Sequence, residues 1–239
     1  MSESEEKGAA APPRPRFYGR RSGKALRRNA LDLLGGLLPQ LAIAVPGPEL
    51  RIEPSALFAS PPDQVWLEVG FGGGEHLADL AEANPRIGLI GCEVFRNGIA
   101  SLLGHVQSRG LDNIRIFPDD VRQLLPALPD GSLGRVFVLF PDPWPKTRHA
   151  YRRFICPDNL DVLARVLMDG GELRVASDDP IYAAWAARHL AEHAGFEKVH
   201  ATTRRESLPL DWPQTRYEQK CLAQRAPTFF LYRRRPRVV

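Results

Sequence analysis

The sequence predicts an α/β fold built on a mostly parallel, doubly wound sheet with helices on both faces. From Gln64 onward, short apolar runs typical of buried strands alternate with stretches whose apolar residues have helical spacing. Parallel neighbours need long crossover connections, which such helices supply. Because ligands bind at the carboxyl ends of the strands in these sheets, the residues that directly follow each strand are the first candidates for a functional site.

Seven segments of the chain are predicted as strands. The first five are short apolar runs, and the last two are expected to close the sheet. In chain order they cover 65–69, 87–94, 113–117, 135–140, 172–177, 198–203 and 228–233.

The helices between these strands are predicted from the spacing of apolar residues. Leu77, Leu80 and Ala81 share one face of the first helix. A second helix around 99–106 ends at Gly110, because glycine is favoured at helix C-termini. Further helices are expected at about 121–128, at about 160–167 with Gly170 and Gly171 as its end, and at about 181–194.

The chain before the sheet has a different composition. Residues 1–16 are rich in Ala, Pro and Glu and are predicted to be a disordered tail. Residues 17–60 are predicted to form a flexible, basic N-terminal arm with one or two short helical elements. Residues 61–239 then form the α/β domain. The length of 239 residues suits one such domain with an extension.

Composition argues against several classes of protein. The hydrophobic fraction of 44% and the charged fraction of 25% are ordinary for a globular chain, and no apolar run approaches the roughly 20 residues of a membrane span. The acidic start is unlike a secretory signal. The three cysteines, Cys92, Cys156 and Cys221, give neither a disulfide framework nor metal-ligand spacing. We therefore expect a cytoplasmic protein with no membrane partner and no metal.

Positive charge is unevenly distributed along the chain. The formal net charge is only +4, and the sequence pI is near 9.1. Basic residues nevertheless cluster at 14–28, 146–153, 204–205 and 233–237. Any one cluster is most simply explained as solvated surface. Several clusters beside a candidate active site favour a polyanionic partner.

The first three strands end in residues that suit a nucleotide-like ligand. Four glycines between Glu68 and Glu75 let the backbone approach a ligand closely, although dinucleotides, flavins and S-adenosylmethionine all use such turns. Glu93, at the end of the second strand, is placed to bind ribose hydroxyls, as in NAD enzymes. After the third strand, Asp119 and Asp120 are candidates for the adenine amino group and for a helix N-cap, and the sequence leaves open which residue has which role.

The fourth strand leads into the most informative stretch, Phe140-Pro141-Asp142-Pro143-Trp144-Pro145-Lys146-Thr147-Arg148-His149. Its three prolines stiffen the loop and lower the entropy lost on binding. A carboxylate, an aromatic face and several basic side chains suit a nucleotide, because aromatic rings stack on bases and Lys or Arg bind phosphates. A structural proline-rich loop with a buried Trp is the alternative.

Together these motifs resemble the bacterial tRNA (guanine-N7)-methyltransferases. The stretches EVGFGGGEHL, GCEVF, PDPWPKTRH with the following RRF, GGELRVASD and TRYEQK occur in the order of the family, over about residues 17–234. The run PDPWPK followed by RH is highly specific to the family, whereas the glycine turn is not. The resemblance implies a Rossmann-like class I methyltransferase fold, S-adenosylmethionine as cofactor, tRNA as partner, and methyl transfer to N7 of guanine 46 in the variable loop.

The resemblance also implies roles for individual residues. Asp142 and Asp178 are the expected catalytic side chains. Cofactor contacts are implied at Glu68, Gly70, Gly72, Glu93, Asp120 and Asp142. Substrate contacts are implied at Lys146, Asp178, Thr215, Arg216, Tyr217 and Glu218. From the residues alone, Asp178 could instead be a helix N-cap and Glu218 a surface charge.

Two other interpretations of the sequence stay open. A nicotinamide-dependent oxidoreductase would explain the glycines and Glu93, but it does not explain PDPWPK, and Gly70, Gly72 and Glu75 do not fit the GxGxxG spacing. A non-catalytic RNA-binding protein would explain the basic clusters, although intact acidic residues at four strand ends argue against it. The sequence does not choose between a monomer and a homodimer.

Overall fold

The computed structural model of the chain describes residues 19–47, 50–215, 218 and 226–237. The N-terminal arm is described from Gly19, and the α/β domain is described over most of its length. Three of the features named above lie outside the described residues. They are the tail at 1–16, the substrate-binding candidates Arg216 and Tyr217, and Cys221.

A seven-stranded sheet organises the described residues. Its strands are β1 (Gln64–Val69), β2 (Ile87–Cys92), β3 (Ile114–Phe117), β4 (Leu133–Leu139), β5 (Leu167–Ser177), β6 (Phe196–Thr202) and β7 (Thr228–Arg234). The spatial order is β3-β2-β1-β4-β5-β7-β6, with β1 to β5 parallel and β7 antiparallel to both neighbours. The predicted mostly parallel sheet is confirmed. The strand order reverses between β1 and β4, which opens a crevice at their carboxyl ends.

Helices cover both faces of this sheet. They are α1 (Arg28–Gly36), α2 (Leu38–Leu41), α3 (Glu75–Ala83), α4 (Arg96–Arg109), α5 (Pro157–Val166) and α6 (Pro180–Glu192). Alternate residues of β1 point into the two layers of core. Val65 and Leu67 pack with residues of α5 and α6, whereas Trp66 packs with residues of α3 and α4. Because both faces of the central strands are buried, β1, β2 and β4 are nearly continuous apolar runs in the sequence, whereas the edge strand β6 is largely exposed.

Gly170 and Gly171 do not end a helix, contrary to the prediction. Helix α5 ends one residue before Leu167, and Leu167 begins β5, where it pairs with Leu133 of β4 and is fully buried. Gly170 has a φ of 78° and lies where the β4–β5 register shifts. Leu167 has helical spacing from Leu160 and Leu163, but a buried leucine suits a strand equally well. The spacing of apolar residues alone therefore does not locate the end of this helix.

The end of β2 and the helix expected at 121–128 also differ from the prediction. Strand β2 ends one residue before Glu93, because the Glu93 carboxylate accepts the next two backbone N–H groups. The helix expected at 121–128 is a pair of short 3-10 turns, Val121–Gln123 and Leu125–Ala127. Pro126 lacks the N–H donor that a continuous helix would need there.

Among the residues that the structure describes, no helix combines the length and the apolar character that crossing a membrane requires. The same residues include no group of three or more His, Cys, Asp or Glu side chains arranged to hold a metal ion.

Candidate functional site

A cavity of about 970 Å³ lies at the carboxyl ends of β1 to β4. We call it the main cavity. Its walls come from four strand ends and from the N-terminal arm. They include Gly70 after β1, Glu93–Phe95 after β2, Asp119–Arg122 after β3, Phe140–Asp142 and Trp144 after β4, and Gly19 and Arg20 of the arm. The topology therefore brings together Gly70, Glu93, Asp120 and Asp142, which the sequence analysis singled out separately.

Glu93 ties the glycine turn to the end of β2. Its Oε2 accepts the N–H of Gly72 at 2.9 Å, and its Oε1 accepts the N–H groups of Val94 and Phe95 at 2.8 Å each. Burial raises the pKa of Glu93 above its ordinary value, the three backbone hydrogen bonds lower it, and the charge of Asp142 adds to the increase. The net direction is upward.

The backbone requires glycine at several positions, both in the glycine turn and beside it. Gly70, Gly72 and Gly74 have φ angles of 70°, 58° and 81°, a region that favours glycine. A Cβ at Gly98, in the first turn of α4, would overlap the carbonyl oxygen of Gly72. Gly98 is therefore part of the site's scaffold, and sequence reasoning missed it because a single glycine in a helical pattern carries no distinctive signal.

The structure divides the roles of the two aspartates that follow β3. Asp120 accepts the backbone N–H of Arg122 at 3.0 Å and caps the 3-10 turn, and its carboxylate also pairs with the Arg122 guanidinium. Asp119 accepts the N–H of Asp120 and lies 3.4 Å from the guanidinium of Arg21. Asp120 therefore has the capping role, and Asp119 makes the contact with the arm. Both aspartates line the main cavity.

The N-terminal arm is attached beside the main cavity by one side chain of α4. Asn97 accepts the N–H of Gly23 and donates to the carbonyl oxygen of Lys24, both at 2.8 Å. The N–H of Arg96 donates to the carbonyl oxygen of Arg21 at 2.9 Å. Nothing in the sequence marked Asn97 for this role, because its partners are backbone groups about 74 residues away.

The proline loop, residues 140–146, has an unusual backbone. Phe140 and Trp144 have φ angles of 50° and 44°, in the left-handed region that bulky side chains rarely adopt. Such conformations persist only where the surrounding structure imposes them. Both residues line the main cavity together with the exposed Asp142.

Arg153 holds this loop in place. Its Nε donates to the carbonyl oxygen of Pro143 and its Nη2 to that of Trp144, each at 3.0 Å. The side chain is buried, and its guanidinium lies over the ring of Trp185 of α6. Arg153 belongs to the basic cluster 146–153, which was expected to bind phosphate. For Arg153 this expectation is wrong, because its buried guanidinium is bonded to backbone carbonyl oxygens. Lys146 is exposed on the loop.

Glu68 lies in a second, smaller pocket of about 250 Å³, which we call the side pocket. It shares Gly70 and Phe140 with the main cavity, and Thr215 lies in its wall. Glu68 is buried and pairs with Nδ1 of His76 at 2.9 Å. The side pocket thus holds Glu68 together with Gly70 and Gly72, whereas Glu93, Asp120 and Asp142 line the main cavity. His76 was not predicted as a site residue.

Asp179, not Asp178, caps helix α6. Its carboxylate accepts the N–H of Tyr182 at 2.9 Å. The helix-cap interpretation of Asp178 is therefore wrong. Asp178 directly follows β5 and is half-buried at the carboxyl edge of the sheet, although it is not among the residues that line either cavity.

Glu218 is fully buried, so the alternative of a surface charge is also wrong. Both of its carboxylate oxygens accept from Arg205 at 3.0 Å, and its N–H donates to Thr215 Oγ1 at 2.9 Å. Burial raises the pKa of Glu218, and the charge of Arg205 opposes this increase. Glu218 and Arg205 therefore hold Thr215 against the side pocket.

The basic clusters do not all face the cavity. Arg205 forms an ion pair with the buried Glu218. In the C-terminal cluster, Arg237 pairs with Asp169 at 2.6 Å, and Arg235 donates to the carbonyl oxygen of Phe196. This cluster lies at the amino edge of the parallel strands, opposite the main cavity. Of the clusters named from the sequence, the arm and the exposed part of 146–153 remain beside the site.

Comparison with known proteins identifies relatives over the whole domain. A family model described as "Putative methyltransferase" matches residues 62–231. A tRNA (guanine-N(7)-)-methyltransferase of Paramagnetospirillum magneticum is 73% identical over 99% of this chain and 100% of its own length. A protein of the same name from Rhodospirillum rubrum is 54% identical over 93% of this chain and 89% of its own length.

Solved structures share the fold at low sequence identity. The 16S rRNA methyltransferase KamB has a TM-score of 0.53 and 19% identity, over 73% of this chain and 89% of its own. TrmN from Thermus thermophilus has a TM-score of 0.51 and 17% identity, over 72% of this chain and 44% of its own. These similarities confirm the Rossmann-like methyltransferase fold.

Proposed function

Since the chain belongs to the tRNA (guanine-N(7)-)-methyltransferase family, we propose that it transfers a methyl group from S-adenosylmethionine to N7 of guanine 46 in the variable loop of tRNA. The observation that best supports the proposal is the main cavity, where the glycine turn and Glu93 meet the proline loop. Family membership also disfavours the nicotinamide oxidoreductase and the non-catalytic RNA-binding protein. The proposal divides the chain into a tail (1–16), an arm (17–60) and a catalytic domain (61–239). It also places the protein in the cytoplasm.

The residues of the main cavity fit the adenosine part of S-adenosylmethionine. A carboxylate offers about four lone-pair positions. Backbone N–H groups occupy three of the lone-pair positions of Glu93. One position on Oε2 therefore remains for a ribose hydroxyl. We assign Asp120 to the adenine amino group, in addition to its bonds to the backbone N–H and guanidinium of Arg122. Gly70 and Gly72 allow close backbone approach.

When bound, S-adenosylmethionine supplies an electrophilic methyl group on a sulfonium centre. N7 of guanine carries an in-plane lone pair, so no side chain has to remove a proton before attack. The task of the protein is alignment of the reacting atoms and stabilisation of the charge that develops on the purine. We assign this stabilisation to Asp142 and Asp178, whose carboxylates can also accept from the guanine N1–H and N2–H₂ groups.

The remaining substrate contacts are assigned to two segments. Lys146, exposed on the proline loop, binds tRNA phosphate. Thr215 lies in the wall of the side pocket and is held there by Glu218. Arg216 and Tyr217 complete this segment of the proposal.

The direct test is transfer of labelled methyl groups to bulk unmodified tRNA, followed by nuclease mapping of the product. The proposal expects label only with S-adenosylmethionine as donor and only as 7-methylguanosine at position 46. Label in another base or at another guanosine would contradict the assigned position. Tight binding of NAD in place of S-adenosylhomocysteine would contradict the donor.

Glu93→Ala should weaken S-adenosylhomocysteine binding by about 1–3 kcal/mol, because a ribose-binding carboxylate is lost. Binding by the wild-type protein should also weaken as the pH falls through the raised pKa of Glu93, above the usual range of a glutamate. Calorimetry at a series of pH values measures both effects. Glu82→Ala, an exposed residue of α3, is the control. Unchanged affinity in Glu93→Ala would remove Glu93 from the site.

The contribution of Glu93 to folding stability should depend on pH in the opposite sense to its contribution to ligand binding. Between the ordinary and the raised pKa, the folded protein keeps a proton that the unfolded chain has released. The contribution of Glu93 to stability therefore falls as the pH rises through this window. Glu93→Gln removes that ionisation, and its amide NH2 cannot accept a backbone N–H as a carboxylate oxygen does. Thermal unfolding of Glu93→Gln at a series of pH values should therefore lack the part of the pH dependence that Glu93 contributes, whatever the absolute melting temperature.

Binding of tRNA should weaken steeply with salt, because phosphate contacts release counterions. Lys146→Ala should lower the slope of log K against log salt concentration by about 1. Arg86→Ala is the matched control, because Arg86 is 83% exposed and lies at the opposite edge of the sheet, before β2. A flat salt response of the wild-type protein would show that the basic clusters do not bind tRNA.

A further inference from the structure

The chain between β6 and β7 supplies part of the wall of the side pocket. Residues 203–215, which we call the crossing segment, follow β6 and end at Thr215 in that wall. Leu208 and Trp212 of this segment belong to the apolar core on the α3 and α4 side of the sheet. The position of Thr215 therefore depends on how the crossing segment is attached to the sheet.

Arg174 of β5 binds the crossing segment from inside the core. Its side chain is 1% exposed. Its Nη1 donates to the carbonyl oxygen of Asp211 at 3.0 Å, and its Nη2 donates to the Asp211 carboxylate at 2.9 Å. The guanidinium also lies over the ring of Trp212, 5.2 Å from the ring centroid. One buried side chain therefore holds both the backbone and the side chain of Asp211.

Arg135 of β4 and Glu172 of β5 complete a cluster of four charged groups. Glu172 Oε2 accepts from Arg174 at 2.8 Å and from Arg135 at 3.0 Å. Arg135 also donates to the Asp211 carboxylate at 2.7 Å. Burial raises the pKa of Asp211, but the charges of Arg174 and Arg135 outweigh burial, and the net direction is downward. We call these four residues the ion-pair cluster, in which two guanidinium groups balance two carboxylates.

The ion-pair cluster lies away from both cavities. None of its four residues lines the main cavity or the side pocket, and Arg174 is three residues before the end of β5. Buried ion pairs contribute little to stability compared with apolar residues of the same volume, because each charge must be desolvated. An apolar side chain at position 174 would fill the core, but it would not bind the backbone and the carboxylate of one particular residue. The ion-pair cluster therefore suits fixing the position of the crossing segment better than stabilising the fold.

Further contacts connect Asp211 to Thr215. The next residue, Trp212, is 2% exposed, and its carbonyl oxygen accepts from the Arg205 guanidinium. The same guanidinium pairs with the Glu218 carboxylate at 3.0 Å. Glu218 and Thr215 then exchange two hydrogen bonds, from the N–H of Glu218 to Thr215 Oγ1 and from the N–H of Thr215 to Glu218 Oε2. Thr215 is thus joined to the ion-pair cluster by a continuous set of contacts.

We propose that the ion-pair cluster positions the crossing segment and thereby places Thr215 for binding of the tRNA acceptor. The inference rests on the proposed function, which assigns Thr215 to the substrate. Asp211 is then a positioning residue, since it acts through the crossing segment and does not itself touch tRNA. Loss of its charge should weaken binding of tRNA and leave binding of the methyl donor in the main cavity unchanged.

Asp211→Asn tests this role, because it keeps the shape of the side chain and removes its charge. Both guanidinium groups of the cluster then share one carboxylate, that of Glu172, so the attachment of the crossing segment weakens. In steady-state kinetics the KM for tRNA should rise about 5- to 10-fold, with the KM for S-adenosylmethionine unchanged. A purely structural role predicts only partial unfolding, which would lower the apparent kcat and leave both KM values as they are.

Asp169→Asn is the matched control. Asp169 also pairs with an arginine, Arg237, at 2.6 Å, and its side chain is 44% exposed, compared with 46% for Asp211. It lies near the start of β5, at the edge of the sheet opposite the main cavity, so both KM values should equal those of the wild type. Asp211→Glu keeps a carboxylate and should recover part of the affinity for tRNA. Equal KM values for tRNA in Asp211→Asn and Asp169→Asn would overturn the inference.

A double-mutant cycle tests whether Asp211 acts through Thr215. Thr215→Ala should itself raise the KM for tRNA. If the ion-pair cluster serves to place Thr215, adding Asp211→Asn to Thr215→Ala should raise this KM by less than about twofold further, because the effects of coupled residues are not additive. An additional increase as large as that of Asp211→Asn alone would show that Asp211 acts elsewhere, which contradicts the inference.

Arg135→Lys provides the test if Asp211→Asn fails to fold. Lysine keeps the charge, but its single point donor cannot bind Glu172 and Asp211 in the geometry of a guanidinium, while the bonds of Arg174 remain. The KM for tRNA should rise about 2- to 3-fold in this variant, and thermal unfolding checks that it is folded. An unchanged KM for tRNA in folded Arg135→Lys would overturn the inference.

Other outcomes separate the inference from the proposed function. If the wild type transfers no methyl group to tRNA, the proposed function fails, and the inference fails with it. If the wild type methylates tRNA but Asp211→Asn keeps the wild-type KM for tRNA, only the role of the ion-pair cluster is overturned. An equal rise in the KM for S-adenosylmethionine would also overturn that role, since the crossing segment would then serve the donor.

Discussion

Replacing Arg153 by alanine should lower kcat/KM for tRNA methylation by about 100-fold and leave the salt dependence of tRNA binding unchanged. The Arg153 guanidinium donates to two consecutive carbonyl oxygens of the proline loop, those of Pro143 and Trp144. Without these bonds the loop loses the geometry that presents Asp142 to the main cavity. A misplacement of about 1 Å can cost about 100-fold in rate.

Arg153→Lys distinguishes a clamp from a phosphate contact. Lysine keeps the positive charge but replaces the planar fork with a single point donor, so it cannot hold both carbonyl oxygens in the same geometry. It also loses the stacking of the guanidinium over Trp185. The kcat of Arg153→Lys should therefore stay low, whereas a phosphate contact would be largely preserved by lysine.

Lys146→Ala is the matched control for Arg153→Ala, because the two residues lie on the same basic segment but only Lys146 is exposed. Lys146→Ala should reduce the salt slope and raise the KM for tRNA, with kcat largely retained at saturating tRNA. Normal kcat in Arg153→Ala together with a reduced salt slope would contradict the clamp. Thermal unfolding of both variants checks that each is folded.

The order of strands and helices could be predicted because its signal is local. Strands β1, β2 and β4 are buried on both faces, so an apolar run marks each of them whatever its neighbours are. The boundaries were less predictable, since they depend on contacts between distant segments. Leu167 extends the helical spacing of α5, yet its pairing with Leu133 of β4 makes it the start of β5.

The partners of charged side chains could not be predicted from the basic clusters. A run of arginines is the same in sequence whether its members are solvated or buried. Arg153 bonds to backbone carbonyl oxygens, which every residue carries, and Arg205 bonds to a glutamate 13 residues away. Only the folded chain shows that Arg153 and Arg205 stabilise the structure around the site and that Lys146 is exposed.

The backbone of the proline loop was also beyond sequence reasoning. Glycine marks positions of positive φ in a sequence, and it did so at Gly70 and Gly72. Phe140 and Trp144 adopt the same region without any such mark. Their conformation follows from tertiary contacts and not from local preference.

The distinction between Asp178 and Asp179 did have a signal in the sequence. Proline is favoured at the first position of a helix, so Pro180 places the N-cap at Asp179. The structure agrees, since Asp179 accepts the N–H of Tyr182. Asp178 therefore has no part in capping α6, and its position after β5 at the carboxyl edge of the sheet needs another explanation.

Asp178→Asn should lower kcat/KM for tRNA methylation by about tenfold or more, with normal S-adenosylmethionine binding and an unchanged melting temperature. Asparagine keeps the shape of the side chain but loses the charge that stabilises a methylated, cationic purine. Because N7 attack needs no proton transfer, the loss should appear as weaker stabilisation of the transition state and not as a shifted pH optimum. Steady-state kinetics over a range of pH values measures both.

Asp179→Asn and Asp179→Ala are the matched controls, one residue away on the same loop. Asparagine caps helices about as well as aspartate, so Asp179→Asn should resemble the wild type in stability and in turnover. Asp179→Ala should cost about 1 kcal/mol of stability and leave the chemistry largely intact. A catalytic Asp178 therefore predicts opposite results at two adjacent aspartates. Near-wild-type turnover by Asp178→Asn would refute the assignment, because neither capping nor catalysis would then depend on that carboxylate.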